Sequence, residues 1–176
     1  MIFFDDALAK VFNLIESLVA YIENLVGVNF IQSFTRLLEQ IHSAALLIGV
    51  VLPDLHEADV KNHLAELKML AQTANVDTLG QITQKVQKIN PAFYIGKGKA
   101  LQVINQAKLL SANVIIFDDE LSPAQIKNYH KLAKKIKVID RSSLILDIFK
   151  KHAKTREAKT QVELALSQYL LPRLTR

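Results

Sequence analysis

Ala44-Ala45-Leu46-Leu47-Ile48-Gly49-Val50-Val51-Leu52 is an unbroken apolar run closed by Pro53 and Asp54. A half-wet strand would alternate with polar residues, and an amphipathic helix would show a polar side chain once per turn; a run with neither reads as a parallel strand buried on both faces. The stretches that follow agree with that frame. Leu64, Leu67, Leu70 and Ala71 recur at helical spacing and place a helix over about Ala58 to Ala74. Ile82, Gln84 and Val86 alternate with Thr83, Lys85 and Gln87, as in an edge strand with one wet face, and Asn90-Pro91 ends it. Beyond a turn at Gly96 and Gly98 the pattern predicts a helix from about Lys99 to Leu110 with Leu101, Ile104 and Leu109 inward. Val114-Ile115-Ile116-Phe117 is a further strand of the buried type. Ser122-Pro123-Ala124-Gln125 has the marks of a helix start: a capping serine, proline at the first helical position and glutamine where a capping box needs it. That helix reaches about Lys135, before a short strand from Lys137 to Asp140.

Alternating strand and helix predict right-handed crossovers and therefore an α/β fold, a small parallel sheet of about four strands with helices on both faces, over residues 43–141. Two helical segments flank it. Upstream, over residues 1–42, Leu8, Val11, Ile15, Leu18, Ile22 and Leu25 line one face of a helix, Gly27 and Asn29 interrupt it, and Phe30, Phe34, Leu37, Leu38 and Ile41 form a second amphipathic run. Its polar face is acidic, unlike that of a membrane-surface helix. Downstream, over residues 142–176, Leu144 to Phe149 form an apolar helix, and Thr155 caps a long one whose stripe is Ala158, Val162, Ala165, Leu166, Tyr169 and Leu170, with Pro172 expected to kink or end it.

Composition narrows the function classes. Five glycines and four prolines in 176 residues argue against a loop-rich β-sandwich, and the absence of cysteine removes disulfides, thiolate nucleophiles and Cys-type zinc sites and points to the cytoplasm. Residues 1–6 lack the basic start of a secretory signal, and the longest run free of charge, Gln40 to Pro53, is too short to span a bilayer. The net charge of +5 conceals a gradient: residues 1–42 carry two bases against five acids, residues 43–130 eight of each, and residues 131–176 twelve bases against four acids. A positive field so localised suits docking on a polyanion through one end of the molecule, although a solvated helix face would also be basic.

Three clusters could carry chemistry. Gly96, Lys97, Gly98 and Lys99 precede a helix, where free backbone N–H groups could hold a phosphate, but neither the Walker spacing nor the third glycine of a dinucleotide fingerprint is present, and a simple tight turn explains the same residues. Asp118 and Asp119, with Glu120, follow a strand end where Mg²⁺ could bind, yet they also precede Ser122, where acids favour the dipole of an incoming helix. His56, Asp59 and His63 share a helical face without a metal-binding spacing. The bases Lys150, Lys151, Lys154, Arg156 and Lys159 gather at a helix junction, with Arg173 and Arg176 further on, and together could neutralise phosphates without reading bases.

Taken in order, Tyr94-Ile-Gly-Lys-Gly-Lys99, Phe117-Asp-Asp-Glu-Leu-Ser-Pro-Ala-Gln125, Val138-Ile-Asp-Arg141, Leu144-Ile-Leu-Asp-Ile-Phe149, Thr155-Arg-Glu-Ala-Lys159, Gln161-Val-Glu-Leu-Ala165 and the segment from Tyr169 to Arg176 resemble the N-terminal region of the HflX family of ribosome-associated GTPases. The resemblance covers about Ala44 to Arg176. It implies an α/β subdomain followed by a helical hairpin, binding to the large ribosomal subunit and its rRNA, and, in the whole family protein, a downstream G domain that uses GTP and Mg²⁺. Residues 1–42 have no counterpart in it. Neither a Walker A sequence nor an Asn-Lys-x-Asp motif occurs in the 176 residues, so the resemblance implies a ribosome-binding module whose GTPase engine lies elsewhere. Two other readings stay open: a stand-alone nucleotide-binding domain using the Gly96–Lys99 turn, and a truncated product with no role of its own. A hairpin lacking its second helix leaves the Val162–Tyr169 stripe uncovered, which predicts self-association or coverage by the N-terminal helices.

Overall fold

The structure is a computed structural model that describes residues 43–174. The helical extension expected over residues 1–42 lies outside them, as does Arg176. The buried run forms strand β1, Ser43–Val51. Helix α1 (Glu57–Thr73), strand β2 (Val76–Lys85), helix α2 (Lys97–Leu109), strand β3 (Val114–Phe117), helix α3 (Pro123–Ala133), strand β4 (Lys137–Asp140), helix α4 (Arg141–His152) and helix α5 (Arg156–Leu174) follow. The four strands are parallel in the order β2-β1-β3-β4.

Because β1 and β3 are flanked by strands on both sides, their side chains alternate between two apolar cores. Leu46, Ile48, Ile115 and Phe117 pack with Val103 and Ile104 of α2 and Tyr129 of α3, whereas Ala45, Leu47, Val114 and Ile116 pack with Leu64, Leu67 and Ala71 of α1 and Leu144 of α4. Crossovers in both directions from β1 therefore put α1 and α4 on one face of the sheet and α2 and α3 on the other. Glycine is required at position 49 by proximity: a Cβ there would come within 2.7 Å of Val60 Cγ1 and 3.0 Å of Leu64 Cγ on α1.

Four expectations need correction. Strand β2 begins at Val76, six residues before the alternation starts, and ends at Lys85. Its register slips where Ala45 faces Thr78 and Leu46 faces Gly80, so Leu79 is bulged out. Val76 joins the α1 side before the bulge and Ile82 the α2 side after it, and no single period of two spans the strand. Helix α2 begins at Lys97, since Gly96 with φ 86° is the residue that turns the chain into it. The inward residues of α2 are Ala100, Val103, Ile104 and Ala107; Leu101 and Leu109 are exposed, the latter at 79%. Finally, α5 continues through Pro172 to Leu174. The missing N–H frees only the carbonyl of Gln168, at an exposed position that water can serve.

The capping box of α3 forms as the sequence predicts, with Ser122 Oγ accepting from Gln125 N at 3.3 Å and Gln125 Oε1 accepting from Ser122 N at 2.8 Å. Thr155 Oγ1 accepts from Ala158 N at 3.1 Å at the start of α5. The stripe from Ala158 to Tyr169 is half-buried, while Leu164, Leu170 and Leu171 remain exposed.

Candidate functional site

Sites in open parallel sheets form at the carboxyl ends of strands where the chain leaves in opposite directions, here between β1 and β3. Asp118 and Asp119 stand at that edge immediately after β3, and Asp118 N donates to Ile48 O of β1 at 2.9 Å. Arg141, at the start of α4, reaches back across the edge. One guanidinium nitrogen donates to Asp118 Oδ1 at 2.9 Å and the other to Glu66 of α1. His63 Nδ1 lies 3.6 Å from Asp118 Oδ2. The hydrogen bond and charge of Arg141 hold the Glu66 carboxyl below its ordinary range. Asp119 turns to the opposite face, where its carboxylate meets the Tyr94 hydroxyl. Burial pushes the Asp119 carboxyl above the usual range, and the Tyr94 hydrogen bond offsets part of that effect. Burial, with the nearby Asp119 charge, also raises the Tyr94 phenol.

The two aspartates are therefore fixed by Arg141 and Tyr94, and neither caps a helix; Ser122 caps α3 and Asp140 caps α4. Among the described residues, no three His, Asp or Glu side chains converge as a metal-binding group.

Gly96–Lys99 lies at the same carboxyl edge. The preceding loop is held in a sparsely populated conformation, with φ 62° at Tyr94 and 86° at Gly96. Helix α3 clamps it through backbone carbonyls: Gln125 Nε2 donates to Asn90 O at 2.9 Å, Asn128 Nδ2 to Ala92 O at 3.0 Å and Tyr129 Oη to Phe93 O at 2.8 Å. Gly98 has open space around its Cα, Lys97 is exposed, and Lys99 Nζ donates to the carbonyl of Lys85 at the end of β2. The turn thus offers backbone N–H groups and one free-standing lysine, without the lysine-to-phosphate geometry of a P-loop.

The basic junction lies at the other edge of the sheet. Helix α4 starts beside the carboxyl end of β4 and runs back, so that Lys151 Nζ donates at 2.9 Å to Ala74 O, the C-cap of α1 just before β2 begins. Lys151 also faces Asp147 at 3.8 Å. Lys150, Lys154, Arg156 and Lys159 are exposed, and no ion pair among the described residues engages them. Arg173 lies near the far end of α5. The sequence-predicted cations at the junction come together, therefore, but the length of the sheet separates them from the glycine turn.

Residues 61–150, half of the chain, match the family described as GTP-binding GTPase N-terminal. The chain belongs to that family. The match carries both clusters of the carboxyl edge and reaches Lys150, the first base of the junction. Curated relatives with the name GTPase HflX agree with it. That of Alkalihalophilus pseudofirmus is 45% identical over 119 residues, 68% of this chain and 28% of the relative. That of Caldanaerobacter subterraneus subsp. tengcongensis is 48% identical over 130 residues, 74% of this chain and 29% of the relative. That of Escherichia coli K12 is 42% identical over 113 residues, 64% of this chain and 26% of the relative. A solved GTP-binding protein from Sulfolobus solfataricus in complex with GDP superposes with a TM-score of 0.58 at 29% identity, over 76% of this chain and 38% of that one. The chain is thus an HflX-type N-terminal module and spans under a third of the length of these curated relatives.

Sequence reasoning missed Arg141, Glu66, Asp140 and Tyr169. Asp140, three residues before Ser143 and at the end of a strand, had the form of an N-cap; the partners of Arg141 come from two other elements and leave no local signal.

Proposed function

We propose that this module docks on the large ribosomal subunit, through rRNA phosphates, by the cations of the α4–α5 junction. One observation carries the reading: Lys150, Arg156 and Lys159 project from two helices and Lys154 from the break between them at Ala153–Thr155, exposed and free of ion pairs among the described residues, so their charge is available to a phosphate backbone. Kinship with proteins named GTPase HflX supports this reading, and a cytoplasmic setting is part of the proposal. In that setting GTP, with Mg²⁺, belongs to a G domain. The residues present here do not fit such a site: the glycine turn lacks P-loop spacing, and the switch-point carboxylates are held by Arg141 and Tyr94. No hydrolytic step is assigned to this chain.

Co-sedimentation with large subunits across a salt series tests the docking. With about five phosphates neutralised, the logarithm of the binding constant should fall against the logarithm of salt with a slope of roughly 3 to 5. Binding that is absent at low salt, or indifferent to salt, refutes it.

A second reading, anion binding at Gly96–Lys99, is favoured by the clamped loop that presents the first turn of α2. Calorimetry with ATP and GTP tests it: heat of binding that disappears in Lys97→Ala supports it, and none from either nucleotide overturns it.

A further inference from the structure

Asp140 is fully buried. Its carboxylate accepts from donors of three elements. Oδ2 accepts from Leu121 N at the entry to α3 at 3.1 Å, and Oδ1 accepts from Ser143 N in the first turn of α4 at 2.8 Å and from the Tyr169 hydroxyl of α5 at 2.8 Å. A buried carboxylate with this donor set is a strong, geometrically narrow acceptor.

The surroundings of α5 bear on what that bond does. The chain is extended at Ala153 (ψ 109°), so α5 meets α4 at a break and not through a continuous helix. A cavity of about 610 Å³ opens between α3, β4 and α5, with Ile126, His130, Val138, Tyr169 and Leu170 in its walls. A swing of α5 about the break would move it into or away from that cavity. From these observations we infer that the Tyr169–Asp140 hydrogen bond is a latch that fixes the angle of α5, which makes Asp140 a positioning residue for the far end of that helix.

Lever arms say which cations depend on it. Lys159 is three residues beyond Arg156 and Arg173 seventeen, or about 5 and 25 Å along the axis at 1.5 Å per residue. A swing of about 20° about the break therefore displaces Lys159 by about 2 Å, within the reach of a lysine stem, and Arg173 by about 9 Å. The latch matters to Arg173 and little to the junction.

Because the chain holds no cysteine, two introduced cysteines can be spin-labelled uniquely. The exposed pairs Lys68→Cys with Gln168→Cys, and Lys68→Cys with Gln161→Cys, report the far and near halves of α5 against α1. In Tyr169→Phe, which keeps the ring and removes the hydroxyl, the far-pair distance distribution should broaden at least twofold while the near pair changes little. An unchanged far pair, or equal broadening of both, overturns the latch. The consequence for ribosomes rests on the proposed docking and is measured separately: Tyr169→Phe should lower the salt slope by about one, the share of a single cation. A broadened far pair with an unchanged slope upholds the latch and overturns the part given to Arg173.

Discussion

At the scale of single residues, the carboxyl edge is held by charges that differ in how they respond to protons. Asp119 is raised by burial, so its charged form is disfavoured by folding: the stability it contributes is present at low pH and lost as pH rises through its folded value. Asp119→Asn keeps an acceptor for the Tyr94 hydroxyl and removes the buried charge. Its thermal midpoint should equal that of the parent below about pH 3.5 and exceed it increasingly toward pH 7; a constant difference across that range contradicts this account. Arg141 acts as an ion-pair partner, since removing it strands Asp118, whose side chain is only 11% exposed. Arg141→Met should cost about 3 kcal/mol in urea unfolding, and Asp118→Asn added to it should recover much of that loss. No recovery in the double variant would show that the pair is not what Arg141 serves.

At the scale of elements, legibility followed burial. β1 and β3 were readable because both faces of each strand are covered, so their sequences carry no polar interruption, and the capping box of α3 was readable because every participant lies within four residues. β2 was only half readable: the bulge at Leu79 reverses which side chains face which core, and a pattern search finds the part after it alone. In α2 the small residues Ala100 and Ala107 face the sheet, leaving larger leucines outside, the reverse of what hydrophobicity ranking predicts. Close approach has the same origin at β1. Gly49→Ala should destabilise by about 1 to 3 kcal/mol, because Val60 and Leu64 would have to move on α1. A midpoint in urea unchanged from the parent would show that α1 yields without strain.

At the scale of the molecule, the sheet has two ends with different characters. The carboxyl edge holds acids tied to Arg141 and Tyr94 beside a glycine turn whose preceding loop is clamped by α3; the amino edge presents cations at a helix junction. The charge gradient made the second end visible in the sequence, since clustering of bases needs no knowledge of the fold. The first end stayed largely hidden, because His63, Glu66, Asp118 and Arg141 are distant in the chain and converge only once β1, β3 and β4 are in register. The proposed docking lies at the amino edge, and charge reversal there is its sharpest test. With Lys150, Lys154, Arg156 and Lys159 changed together to glutamate, co-sedimentation with large ribosomal subunits at low salt should be lost while helix content by circular dichroism is retained; undiminished co-sedimentation of the folded variant would contradict the account.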